Sequence, residues 1–153
     1  MQTDAPNPTE SSSKPSLPAW FWMISSIALF WYLMDMSSFF MRVFATDYVI
    51  NNMPENQQHL YQNMPLWVNI VFAAEVFSGL FGSLGLLFRK KWALGFFIIS
   101  IFGILAQTSH IYFFSDAIST MGNPAIVMPL IAIVIGAGLI IIAKFATSKD
   151  WLQ

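Results

Sequence analysis

Cysteine is absent from the 153 residues, which excludes a disulfide framework, a thiolate nucleophile and any cysteine-held metal. Charge is nearly as scarce. Only 10% of the residues are Asp, Glu, Lys or Arg, where soluble domains carry about 25%. That shortfall leaves too little polar side chain to cover a water-facing surface. Seven basic residues against eight acidic ones give a net charge of −1, so no basic patch neutralises phosphates and nucleic acid is excluded as a partner. Histidine occurs only at His59 and His110. One lies in a polar connection and one in an apolar run, which does not suit a bis-histidine haem. No ligand spacing points to a metal, and no serine has a base placed by motif. The expectation is a protein that is not an enzyme, with no catalytic residue, no cofactor and no metal.

What is abundant is apolar side chain, at 56% of the residues. Residues 1–18 hold four prolines and four serines and bury too little to fold, so they read as a disordered cytoplasmic tail. Residues 19–146 form one domain containing four apolar runs, about 20–42, 66–88, 93–115 and 125–143. Each approaches the roughly 20 residues that a bilayer crossing needs. Residues 147–153 read as a C-terminal cytoplasmic tail. The first run is longer than the roughly 7–15 residues of a signal-peptide core, so it reads as a retained helix. The fold class is an all-α membrane protein, a four-helix transmembrane bundle.

Orientation follows from the basic residues. With four spans, Lys14, Arg89, Lys90, Lys91, Lys144 and Lys149 fall on one side and only Arg42 on the other. Basic loops stay cytoplasmic, so both ends and the 89–92 turn face inward. Trp20, Trp22, Trp67, Trp92 and Trp151 fall at the span boundaries, where indole rings favour the headgroup level. On the outer side, residues 54–62 suit a short helix after Pro54 as well as they suit a polar loop.

Helices associate in lipid through small residues and polar contacts. The second run carries Ala74, Ser78 and Gly82 at four-residue steps beside Glu75, Gly79 and Ser83. Gly103 in the third run and Gly136 in the fourth supply matching small positions, and Pro129 marks a kink. Asp35, Glu75, Gln107 and His110 all lie roughly 7–14 Å from the outer boundary at about 1.5 Å rise per residue. An intramembrane carboxylate costs about 2.5–3.5 kcal/mol on the insertion scale, and burial against a partner relieves it. His110 is the expected partner, which gives a protonatable Glu75–His110–Asp35 cluster reached from the extracytoplasmic side. The plainer alternative is interhelical glue, worth about 0.6 kcal/mol per contact. Trp31 and Tyr32 beside Asp35 resemble an aromatic platform suited to a sugar or organic cation. Arg42 is expected to snorkel to the outer headgroups.

The Met64-Pro65-Leu66-Trp67-Val68 start of the second run, the stretch from Gly79 through Leu87-Phe88-Arg89-Lys90-Lys91-Trp92-Ala93-Leu94, Gln107, and the start of the fourth run near Val127-Met128-Pro129 carry a resemblance. Over residues 18–153 the chain resembles a family of small, four-helix bacterial inner-membrane proteins that carries the label "sugar transporter". That resemblance implies the bacterial inner membrane and transport of a sugar or other small polar solute. It brings no functional residues with it. The chain lacks the Pro-Gln pair of three-helix sugar carriers, and small multidrug transporters place their glutamate in the first helix rather than the second. Two readings stay open. One is a small transporter, proton-coupled or not, working as a homo-oligomer. The other is an accessory subunit bound to a partner membrane protein. In both, the lipid bilayer is the solvent.

Overall fold

The computed structural model describes residues 17–44, 47–62 and 64–153; most of the expected N-terminal tail, residues 1–16, lies outside them. Four long helices, α1 (Ala19–Val43), α4 (Leu66–Leu87), α5 (Ala93–Phe113) and α7 (Asn123–Ser148), are each long and apolar enough to cross a membrane. Short helices occupy the connections: α2 (Asp47–Asn51) and α3 (Glu55–Gln62) between α1 and α4, and α6 (Ala117–Met121) between α5 and α7. The chain is a multi-pass membrane protein with an all-α, four-helix bundle.

Proline starts three of the spans. Pro18 and Pro65 precede the first turns of α1 and α4, and Pro124 lies within the first turn of α7. The missing N–H has no helical partner there in any case. The ends of α4 and α7 share a different device. Arg89 and Asp150 take left-handed φ values of 59° and 55°. Around them Lys90 N–H donates to Gly85 O and Arg89 N–H to Leu86 O, while Trp151 N–H donates to Ala146 O and Asp150 N–H to Thr147 O. Both are Schellman closures built without glycine. The fourth span therefore runs from residue 123 to 148, beyond the 125–143 read from hydropathy, because it ends where that closure satisfies its carbonyls. The third span is shorter than expected, ending at Phe113.

The helices pack in the order α1, α4, α5, α7, which puts α4 and α5 in the middle and leaves α1 and α7 to close the fourth side. They close it at one end only. Trp151, just beyond α7, has its ring centroid 5.7 Å from Trp20 and 5.8 Å from Phe21, and Trp20 lies 6.5 Å from Phe145. This is also the basic end, which carries the 89–92 turn. Residues 151–153 are docked rather than trailing. Leu152 is buried, Lys91 N–H donates to Gln153 O, Gln153 N–H to Arg89 O, and Arg89 Nε to Trp151 O at 2.9 Å.

The core lies in the half of the bundle nearest that clasp, where Phe21, Tyr32, Leu86, Phe97, Leu139 and Ala143 form one cluster drawn from all four spans. Small residues set the approach of the helices. A Cβ on Gly79 would fall 1.9 Å from Cε1 of Tyr32, and one on Gly82 would fall 2.9 Å from the Phe97 ring. Ser78 is buried on the same face. Gly136 lies in ordinary contact with Ile104 and Ile101 of α5. Ala74, placed on this packing ridge by its four-residue spacing, is exposed instead. The buried face of α4 centres on Glu75, Gly79 and Gly82, and Ala74 lies about 100° round the helix from Glu75.

Candidate functional site

The half of the bundle farthest from the clasp is hollow. A cavity of about 470 Å³ opens between the four spans. From α1 it takes Trp31, Asp35, Ser38 and Arg42, a stripe at helical spacing. Phe72 and Glu75 line it from α4, and Ile104, Gln107, Thr108 and Ile111 from α5. Met128, Pro129 and Ala132 of α7 complete the wall. The cavity has a packed layer beneath it. One turn closer to the clasp, the buried Tyr32 hydroxyl lies 3.2 Å from Ser100 Oγ, with its ring against Phe97 and over Gly79.

Glu75 is 5% exposed and accepts a hydrogen bond from Gln107 Nε2. The contact depends on a glycine, because a Cβ at Gly103, one turn along α5 from Gln107, would lie 2.7 Å from Cβ of Glu75. Asp35 and Arg42 both act electrostatically on Glu75. Several hydroxyls nearby are already used by their own helices. Thr108 donates to Ile104 O at 2.7 Å and Ser38 to Met34 O at 3.1 Å, as hydroxyls in apolar surroundings do. The ionisable and amide groups that line the cavity are Asp35, Glu75, Gln107 and Arg42, with Trp31 and Phe72 as aromatic wall.

Two sequence-based expectations are corrected here. His110 is not the partner of Glu75. It lies one turn further out, with its ring 5.2 Å from Trp67 and 6.2 Å from Phe114, and it lines a second chamber. Trp31 and Tyr32 do not form one platform: Trp31 faces the cavity, whereas Tyr32 is 2% exposed within the core. Arg42 lies where the two chambers meet. Its guanidinium carbon lies 4.3 Å from the centroid of the Phe72 ring, and its Nη1 donates to Met64 Sδ at 3.7 Å.

The second chamber, about 650 Å³, lies outside the first and shares Arg42, Gln107 and Ile111 with it. His59 of α3, Met64, His110, Asp116 and Thr120 line its polar side, and α3 packs against α6. Sequence reasoning missed this chamber. A five-residue helix such as α6 leaves no periodicity to read, and Met64, Ser115 and Asp116 look like ordinary connection residues. Among the described residues, no group of three or more His, Asp or Glu is placed to hold a metal ion.

No family model, no curated protein and no solved structure matches this chain. The reading of the site rests on its geometry alone.

Proposed function

We propose that this membrane protein binds a small polar solute in the α1–α7 cleft and takes part in its passage across a bacterial inner membrane. The observation that carries this reading is the cavity of about 470 Å³ that holds Asp35, Glu75, Gln107 and Arg42 within the spans and adjoins a wider outer chamber. Ionisable groups inside a membrane domain are expensive and mark solute or ion pathways. The packed half beneath the cavity and the six basic residues predicted on that side support the reading of a carrier open to the extracytoplasmic side and shut toward the cytoplasm. An aromatic wall beside hydrogen-bonding groups suits a small polar solute with an apolar face.

A second reading has one observation in its favour. Away from the clasp α1 and α7 leave the fourth side open, and a helix of a partner membrane protein would close it. That would make the chain an accessory subunit. Native mass spectrometry of the gently solubilised chain separates the two. A homo-oligomer that retains a small molecule, and loses it in Glu75→Gln, supports the carrier. A defined complex with another membrane protein and no retained solute supports the accessory subunit.

A further inference from the structure

The charge balance of the inner cavity does not close. Asp35 and Glu75 bring two carboxyls and Arg42 brings one guanidinium, which acts on both of them. Among the described residues the polar side chain that meets Glu75 from α5 is the Gln107 amide, and His110 stands in the outer chamber. α7 contributes only Met128, Pro129 and Ala132 to the lining. Tyr32, the remaining titratable neighbour on α1, shares its hydroxyl with Ser100 in the core. Among the described residues one carboxyl is therefore left without a cation, in a place where an uncompensated charge is costly.

A second observation says what form the missing cation takes. Arg42 lays a flat, delocalised cation on the Phe72 ring at 4.3 Å, the geometry in which an aromatic face attracts such a group. The cavity already holds one guanidinium against an aromatic wall, and Trp31 supplies another aromatic ring on its α1 side. At about 470 Å³ it has room for a drug-sized ligand.

Resting on the solute-binding reading above, we propose that the solute is an amphipathic monocation of the guanidinium or amine class, exchanged for a proton at the Asp35–Glu75 pair. The step balances simply. The carboxyl without a partner holds a proton when the cavity is empty of solute. An arriving cation displaces that proton, which leaves as hydronium through the outer chamber, and the site's net charge is unchanged. Cation and proton thus compete for one place, and Gln107 holds Glu75 in position in either state.

The test is calorimetric titration of the purified full chain in nanodiscs with phenylguanidinium, using phenylurea and glucose as neutral controls, in two buffers of different ionisation enthalpy. The expected result is cation binding that releases about one proton and weakens by up to about tenfold per pH unit as pH falls. Glu75→Gln and Asp35→Asn, near-isosteric changes, each weaken it by about tenfold or more, and phenylurea does not bind. Cation binding without proton release, or binding indifferent to both variants, overturns the proposal. Equal binding of phenylurea or glucose overturns the cation assignment and leaves the solute-site reading intact. If the folded chain binds no phenylguanidinium the proposal fails, and the solute-site reading fails with it only when native mass spectrometry also finds no retained small molecule.

Discussion

Glu75 lies directly on Gly103, so close that a Cβ at that glycine would stand 2.7 Å from the Cβ of Glu75. The bare backbone lets the carboxyl reach Gln107 one turn further out. Packing and polar site are thus a single feature: the small residue that brings α4 against α5 also places the acid. Gly103→Ala is expected to destabilise the bundle by about 1–3 kcal/mol through overpacking and to displace Glu75 from Gln107. Gly138→Ala, where an added Cβ meets nothing within 4 Å, is the control. Unfolding in mixed micelles followed by tryptophan fluorescence measures both; equal stability of the two variants would contradict this account.

Asp150 closes α7 with φ of 55°, a conformation that costs a side-chain-bearing residue roughly 1 kcal/mol. Glycine avoids that cost and keeps both closing hydrogen bonds, since they are made by main-chain groups. Asp150→Gly is expected to raise stability by about 0.5–1 kcal/mol in the same unfolding assay.

Trp151 meets Trp20, Phe21 and Phe145, and aromatic pairs contribute about 0.5–1.5 kcal/mol each beyond area. Trp151→Ala is expected to cost about 2 kcal/mol and to loosen the α1–α7 contact. A spin-label pair at positions 24 and 142 should then show a broadened distance distribution, while a pair on α4 and α5 stays sharp.

The lack of cysteine gives a clean background for accessibility mapping. Ser38→Cys in the cavity is expected to react with a membrane-impermeant maleimide from the side opposite to Lys90→Cys in the basic turn. Labelling of both from the same side would rule out the orientation drawn from the basic residues.

The spans were legible because lipid thickness imposes itself directly on hydropathy. Their ends were less so: hydropathy stops α7 near residue 143, but a helix continues past the apolar zone until its carbonyls are satisfied, here by a left-handed aspartate that carries no glycine signal. Asp35, Glu75 and Gln107 could be placed together from depth and face. His110 could not be separated from them by depth, since three residues along a helix change depth by only about 4.5 Å while turning the side chain toward another chamber. The split between Trp31 and Tyr32 follows from the roughly 100° between adjacent helical positions. The outer chamber was illegible because its wall is assembled from short segments whose neighbours are set only by the tertiary fold.

The one-ended closure of α1 against α7 makes α1 a lever arm. From Trp20 to Arg42 it extends about 33 Å at 1.5 Å per residue, with its fulcrum in the ring cluster around Trp151 and its far end, where Phe39 and Arg42 lie on Phe72 of α4, at the shared wall of the two chambers. A tilt of about 5° at the fulcrum carries Arg42 through about 3 Å, the width of a water molecule, over a helix of that length. Small rotations among the aromatic rings at one end of α1 thereby become a displacement on the scale of a water molecule at the other.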